Sequence, residues 1–152
     1  MQENALVFDE LVSYELSRTG TAFRNSLERQ MKDLELHTGQ IAVLRELWEK
    51  DGLKQVTIAA RLNLSAPTVN KIVLGLIKLN LVARERIDND ARSTRIFLTA
   101  KGLSYKVKVE EQWRYLETTC RAAITEPERH MLLDMLARIR AKLTGIAIEV
   151  EE

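Results

Sequence analysis

Residues 55–70 of the chain read QVTIAARLNLSAPTVN, and this segment has the pattern of two short helices joined by a turn. Its first half predicts a short helix, over about 54–62, with apolar positions at helical spacing: Val56, Ile58, Ala59 and Leu62. Asn63 follows, and asparagine tolerates the left-handed conformation that a tight turn requires. Ser65 predicts the N-cap of a second helix, with Pro67 in its first turn, where a missing N–H costs nothing. Two short helices joined in this way form a helix-turn-helix.

The residues that follow predict a β-hairpin. The segments 82–87 (VARERI) and 95–99 (RIFLT) are typical of short strands, and the residues between them are polar and charged. We therefore expect a hairpin with an extended loop, or wing, from Asp88 to Thr94. Thr99 predicts the N-cap of a further helix that runs to about Ala123.

Helices are predicted on both sides of this region. One long helix is expected over 4–34, and Thr38 predicts the N-cap of a second helix that ends at Asp51-Gly52. Thr125 and Glu128 form a capping box for a sixth helix that runs to about Val150. Its apolar residues recur at steps of four and three, as in a helix–helix seam: Leu132, Leu136, Ile139, Leu143, Ile146 and Val150.

These elements predict a mainly α fold, with about six helices and a β-hairpin wing. Residues 1–37 are expected to form an N-terminal dimerisation helix, and residues 38–99 a winged helix-turn-helix lobe. Residues 100–152 would supply the C-terminal helices that link this lobe to the dimerisation domain and complete it. Helix one adds Leu6 and Leu11 to the expected dimer contacts, because an exposed apolar strip of this length is an association site.

Charge is unevenly distributed along the chain although the net charge is only +1. Residues 53–101 carry nine Lys and Arg against three Asp and Glu, a balance of +6. Residues 1–52 carry six against ten, a balance of −4. A basic block between acidic flanks is the electrostatic signature of a phosphate-binding surface. Its alternative interpretation is a chance excess of solvated side chains.

Other classes of protein are disfavoured by composition. No apolar run approaches the roughly 18 residues of a membrane span, and the start MQENALVFDE lacks the features of a signal peptide. A single cysteine, Cys120, excludes an internal disulfide, so we expect a cytoplasmic protein without membrane contact. No catalytic constellation is present, and His37, His130 and Cys120 lack metal-ligand spacing, so no enzyme, metal or cofactor is expected.

The chain resembles the MarR family of multiple-antibiotic-resistance-type regulators over nearly its whole length. Three motifs carry the match: the Ala, Leu, Leu, Ser and Thr-Val positions of 55–70; Asp90-Ala91-Arg92, followed after five residues by Leu98-Thr99; and Leu98-Thr99-x-x-Gly102. The chain departs from the family where Asn63 and Asn80 replace glycine, where Lys54 replaces a polar N-cap, and where Gly75 replaces a basic residue. The resemblance implies an anionic or phenolic effector at the junction of the dimer helices and the DNA lobe, with Arg24, His37 and Trp48 as candidates.

The second helix of the helix-turn-helix is the expected recognition helix. We expect a buried stripe of Val69, Ile72, Val73, Leu76 and Leu79, and an outward row of Ala66, Pro67, Asn70, Lys71, Leu74 and Lys78. Asn70 can pair with adenine, and Lys71 and Lys78 can reach guanine or a phosphate. Ser65 and Thr68 either contact phosphate or serve only as caps. Leu74 either touches a thymine methyl or packs against the fold.

The wing supplies the remaining candidates. Arg92 at the hairpin tip can enter a narrow minor groove, and Asp90 would orient its guanidinium by a bidentate pair. The alternative is a solvated ion pair. Arg84 and Arg86 share a strand face and are expected to contact the DNA backbone, together with Arg95.

These residues predict a sequence-specific DNA-binding transcriptional regulator. We expect a homodimeric repressor that binds an inverted-repeat operator on double-stranded DNA and is released by a small effector. One alternative is a winged-helix module for protein–protein interaction. Another is a regulator with a metal or redox input, the latter through Cys120, although a small buried or half-buried thiol is the simpler interpretation of this residue.

Overall fold

A computed structural model describes residues 5–87 and 93–145. Within these ranges the chain forms the following elements: α1 Val12–Gln30, α2 Thr38–Glu49, β1 Leu53–Lys54, α3 Gln55–Leu62, α4 Ala66–Lys78, β2 Val82–Arg86, β3 Thr94–Leu98, α5 Ala100–Arg121 and α6 Glu126–Thr144. Helices α3 and α4 form the helix-turn-helix, and β2 and β3 form the hairpin that follows it. The expected mainly α fold with a winged helix-turn-helix is confirmed.

The sheet has three antiparallel strands in the order β1-β3-β2. Strand β2 pairs with β3 so that Val82 lies opposite Leu98 and Arg86 opposite Thr94. Strand β1, with Leu53 opposite Ile96, was not predicted. It has only two residues and runs directly into α3, so it leaves no alternating pattern in the sequence.

Two asparagines form the turns on either side of α4. Asn63 has φ 51° and Asn80 has φ 58°, both in the left-handed region, so asparagine serves here as expected. Between them the Ser65 side chain accepts a hydrogen bond from the Thr68 N–H and caps α4. Lys54, before α3, provides no side-chain cap. The start and end of the recognition helix are thus set by local chemistry.

Three helix boundaries differ from the sequence-based expectation. The segment 4–34 is not one helix, because the extended backbone of Leu11 separates α1 from a 3₁₀ turn at Phe8–Glu10, and a second 3₁₀ turn, Lys32–Leu34, follows α1. The cap of α2 is His37 and not Thr38, since the His37 side chain accepts from the Gln40 N–H. Helix α6 ends at Thr144, before the left-handed Gly145, and the expected continuation to Val150 lies outside the described residues.

The start of α6 is fixed by the predicted capping box of Thr125 and Glu128. The Thr125 backbone N–H and hydroxyl donate to Glu128 and lower the pKa of its carboxyl. Hydrogen bonds from Arg129, and then from Arg121, lower the pKa of Glu126 to about 2. Both carboxylates are therefore ionised at neutral pH and place negative charge at the positive end of the helix.

The core lies between the first five helices and the sheet. Its largest fully buried side chains are Leu27, Met31, Leu44, Leu47, Ile58, Leu76, Leu81 and Ile96. The carboxylate of Glu46 is also buried, and it lies 3.1 Å from Nη1 of Arg45 and 3.3 Å from Nη1 of Arg61. This ion pair links α2 to α3, because Arg61 lies on the second of these helices.

Gly102 forms a close contact between α5 and the winged lobe. A Cβ atom at this position would overlap the carbonyl oxygen of Leu81, which accepts a hydrogen bond from the Thr99 N–H at 3.1 Å. The Gly102 carbonyl in turn accepts from Nε1 of Trp48 at 3.0 Å. The glycine of the Leu-Thr-x-x-Gly motif is thus required by the close approach of two backbones.

We expect Gly102→Ala to lower the free energy of unfolding by about 1–3 kcal/mol, the usual cost of overpacking a tight contact. Gly20→Ala is the matched control, because nothing lies within 4 Å of a Cβ atom at that helical position. It should raise stability by roughly 0.5–1 kcal/mol, because alanine is the better helix former. Urea unfolding of both variants measures the difference. Equal stability of the two variants would contradict the assigned contact.

Candidate nucleic-acid interface

Helix α4 separates a buried face from an exposed one, as expected. Val69, Ile72, Val73 and Leu76 are buried, whereas Leu79 after the helix is half-buried. The exposed side chains are those of the predicted DNA-facing row: Ser65, Ala66, Pro67, Thr68, Asn70, Lys71, Leu74 and Lys78. Leu74 is 51% exposed, and this exposure favours the predicted contact with a thymine methyl over packing against the fold.

The N-terminus of α4 is a polar corner. The Ser65 hydroxyl accepts from the Thr68 N–H at 3.3 Å, and the two hydroxyl oxygens lie 2.8 Å apart. Ser65 therefore caps the helix, and both side chains are exposed. The free N–H groups of a helix start favour an anion, so a phosphate contact by the same two residues stays a prediction.

A polar cluster joins α3, α4 and β2 beside this corner. The Nη2 atom of Arg84 donates to Oδ1 of Asn70 at 3.0 Å and to Oε1 of Gln55 at 3.1 Å. The Nε2 atom of Gln55 lies 3.5 Å from the same Asn70 oxygen. Arg84 therefore contacts the predicted base-reading residue directly. Gln55 was not among the predicted site residues, because its place at the start of α3 gives no sequence signal.

The arginines of the hairpin divide between its two faces. Arg84 and Arg86 are two residues apart in β2, so they lie on the same face of the strand, and both are exposed, as expected. Arg95 lies opposite Glu85 in the strand register, and so it is on the other face of the hairpin. Its Nη1 donates to the Gly52 carbonyl at 2.8 Å. The geometry therefore does not support Arg95 as a third DNA contact in line with the other two. Asp90 and Arg92, the predicted wing-tip pair, lie outside the described residues.

Gly75 on α4 faces α2 and not the outward row. A Cβ atom there would lie 2.9 Å from Nε2 of Gln40, a buried side chain of α2. The glycine therefore leaves room for the side chain of Gln40. It lets a buried amide approach the recognition helix.

A cavity of about 580 Å³ opens between α1, the start of α2 and α4. Arg24 and His37, two of the predicted effector residues, line it, as do Thr38, Lys71 and other residues: Glu28, Gly39, Thr68, Ile72 and Gly75. Trp48, the third predicted effector residue, lies elsewhere. It lines a cavity of about 460 Å³ between α2 and α5, together with Trp113.

Other types of site find no support in the part of the chain that the structure describes. Residues 5–87 and 93–145 contain no group of three metal-binding side chains. None of their helices is long and apolar enough to cross a bilayer. Cys120 is exposed, which corrects the expectation of a buried or half-buried thiol.

Comparison with known proteins agrees with this geometry. The model of the MarR family matches residues 36–94. Over this segment, which contains the helix-turn-helix, the chain is similar to the MarR family. The relatives found are transcriptional regulators, which is the class of function that the sequence predicts.

Individual relatives extend the similarity beyond the winged lobe. The chain is 36% identical to the HTH-type transcriptional regulator TtmR of Methylorubrum extorquens over 134 residues, which are 87% of the chain but 65% of TtmR. A MarR family regulator of Silicibacter pomeroyi is 27% identical with a TM-score of 0.72, over 95% of this chain and 94% of that one. A MarR family protein of Mycobacterium tuberculosis, solved with salicylic acid, is 25% identical with a TM-score of 0.66, over 88% and 99%.

Arg86→Ala and Arg95→Ala separate the two faces of the hairpin. We expect Arg86→Ala to lower the salt dependence of duplex binding by about one unit of slope, since one phosphate contact is lost, with stability changed by less than about 0.5 kcal/mol. Arg95→Ala should leave the slope unchanged and lower the free energy of unfolding by about 1 kcal/mol or more. Salt titrations and urea unfolding give both quantities. A lower salt dependence for Arg95→Ala would show that this residue contacts DNA after all.

Proposed function

We propose that the chain is a DNA-binding transcriptional repressor that acts as a homodimer on an inverted-repeat operator and is released by a small aromatic anion. One observation carries the proposal: α4 exposes a row of polar and small side chains immediately beside the arginine face of β2. This surface belongs to the basic segment 53–101, so it carries the positive charge that phosphates require.

The proposed contacts follow from the position of α4. Its N-terminal half enters the major groove, where Asn70 and Lys71 reach base edges and the small residues Ala66 and Pro67 permit close approach. Ser65, Thr68, Lys78 and Arg86 contact phosphates. The wing reaches the minor groove through Arg92, oriented by Asp90.

Dimerisation is proposed because two segments carry apolar side chains that the single chain leaves uncovered. Helix α6 contains no buried residue, although four apolar residues of the predicted seam lie on it: Leu132 and Leu143 are exposed, and Leu136 and Ile139 are half-buried. Leu143 is 79% exposed, and Leu6 near the N-terminus is 68% exposed. A second copy of the chain would cover these residues and place two α4 helices about a two-fold axis. Ile146 and Val150 of the predicted seam lie outside the described residues.

The effector is proposed to bind in the cavity between α1, α2 and α4. Arg24, His37 and Lys71 supply cationic or hydrogen-bonding groups for a carboxylate. Thr38 also lines this cavity, and its buried hydroxyl oxygen has no hydrogen-bond partner among the described residues. The salicylic acid bound by the M. tuberculosis relative supports this class of ligand.

Binding in this cavity would act on DNA recognition directly. Lys71 and Thr68 of α4 belong both to its wall and to the proposed DNA surface. A ligand that binds the free protein more tightly than the DNA complex must weaken DNA binding by the same factor, since coupling between sites is reciprocal.

Selection of bound duplexes from a random pool tests the proposed function. We expect an inverted repeat with half-site centres about 10 bp apart, one helical turn, bound by two chains of 17.4 kDa each. Leu143→Asp should abolish the two-chain complex because it places a charge in the seam. Lys142→Ala changes the charge by the same amount on a neighbouring exposed residue and should not. Recovery of an asymmetric site occupied by one chain would refute the proposal.

Calorimetry with salicylate tests the effector site. We expect salicylate to bind the free protein and release the selected duplex, and Arg24→Ala to weaken salicylate binding roughly tenfold or more, because a charged hydrogen bond contributes about 1.5–3 kcal/mol. Arg29→Ala is the control, as it removes a neighbouring α1 arginine outside the cavity. If Trp48→Ala abolished binding and Arg24→Ala did not, the effector would lie in the cavity between α2 and α5 instead.

A further inference from the structure

We propose that Arg84 and Gln55 are positioning residues that fix the orientation of the Asn70 carboxamide, and thereby help to determine which base the recognition helix accepts. The inference rests on the proposed function, in which Asn70 contacts a base edge. It changes the role of Arg84, which the sequence assigned to the DNA backbone, and gives a role to Gln55, which the sequence did not single out.

The three side chains come from three different elements. Gln55 is the first residue of α3, Asn70 lies in the middle of α4, and Arg84 is the central residue of β2. Arg84 lies opposite Ile96 in the register of the hairpin, and Ile96 is fully buried. The arginine therefore extends from the anchored base of the hairpin and not from its loop, and its position relative to α4 is set by the core.

An asparagine side chain needs such a partner to present a single pattern of hydrogen bonding. Its terminal torsion is broad, and a half-turn exchanges an oxygen acceptor for a nitrogen donor of nearly the same shape. A guanidinium group has donors only. Because Nη2 of Arg84 lies 3.0 Å from the Asn70 carboxamide, the oxygen must face the arginine and the Nδ2 group must point away from it.

Gln55 makes the arrangement more selective. Its Oε1 atom accepts from the same Arg84 nitrogen at 3.1 Å, so the guanidinium is held between two carbonyl oxygens. Its Nε2 atom lies 3.5 Å from Oδ1 of Asn70 and adds a second donor on the oxygen side. Gln55 is half-buried, so its own freedom is limited before DNA arrives. The conformational entropy of these long side chains is therefore lost when the protein folds, and not when it binds DNA.

The orientation has a consequence for base preference. With Nδ2 leading, Asn70 offers donors to the major groove, where adenine, guanine and thymine all present an acceptor. Cytosine presents only its amino donor there and would leave Nδ2 unpaired. A bidentate pair with adenine would require Oδ1 to exchange its long 3.5 Å contact with Nε2 of Gln55 for the adenine amino group. We therefore infer that the position read by Asn70 discriminates most strongly against cytosine, and that this discrimination depends on Arg84.

A double-mutant cycle on the selected operator tests the inference. The proteins are wild type, Asn70→Ala, Arg84→Ala and the double variant, each titrated against the operator and against duplexes with single base changes. The quantity measured is the ratio of affinities for matched and changed duplexes, because a uniform loss of phosphate attraction cancels in it. Urea unfolding of each variant establishes that it is folded.

We expect Asn70→Ala to reduce discrimination against cytosine at one base position by roughly tenfold. Arg84→Ala should reduce discrimination at the same position by a comparable factor, and the double variant should lose no more than either single variant. Gln55→Ala should give a smaller loss there. Arg86→Ala is the matched control, because it removes the same charge from the same strand face and should leave every ratio unchanged.

Two results would overturn the inference and leave the proposed function intact. In the first, Arg84→Ala resembles Arg86→Ala, with weaker binding of all duplexes and unchanged ratios, and Arg84 is a backbone contact. In the second, the losses of discrimination from Arg84→Ala and Asn70→Ala add, and the two residues act independently. If Asn70→Ala alters no ratio at any position, the proposed reading of bases by Asn70 fails first and the inference fails with it.

Discussion

The structure depends on the packing of the buried face of α4 into the core of the winged lobe. Val69, Val73 and Leu76 are completely buried, so the rotation of this helix about its axis is fixed by the hydrophobic effect. A helix with one face fixed in this way must display the residues of the opposite face. Asn70, Lys71 and their neighbours are therefore exposed because the opposite face of the helix is buried, and their proposed use in recognition depends on the packing of the core.

The same packing fixes the surroundings of the exposed row. Leu81, after the turn at Asn80, is fully buried, and its carbonyl oxygen accepts from Thr99 beside the close approach of Gly102. Strand β2 leaves this point in a defined direction, which places Arg84 next to Asn70. The hairpin, the recognition helix and α5 thus meet at one junction, and the side chains that the sequence assigned separately to helix and wing form one surface.

Much of this architecture could be predicted from local rules, whereas the cooperation between side chains could not. The turns at Asn63 and Asn80 and the caps at Ser65 and Thr99 use chemistry that acts within about four residues of the chain, and each was visible in the sequence. The prediction of one long first helix was wrong, because the apolar spacing that indicated it continues through Leu11, where the backbone is extended. The link from Gln55 through Arg84 to Asn70 joins residues 14 to 29 positions apart, and no periodicity reports such a contact.

The cavity between α1, α2 and α4 lies beside the close contact of α2 with α4. Gly39 and Gly75 are closely surrounded, the first by Ile72 and the second by Gln40, so α2 and α4 approach each other there with little space to spare. Close-packed elements move as units and not by continuous deformation. A molecule that enters beside Lys71 and presses on this contact would therefore shift α4 as a whole, with Asn70 on it. In the proposed mechanism, the glycines that permit the close approach of the two helices would also make the recognition helix respond to a ligand in the cavity.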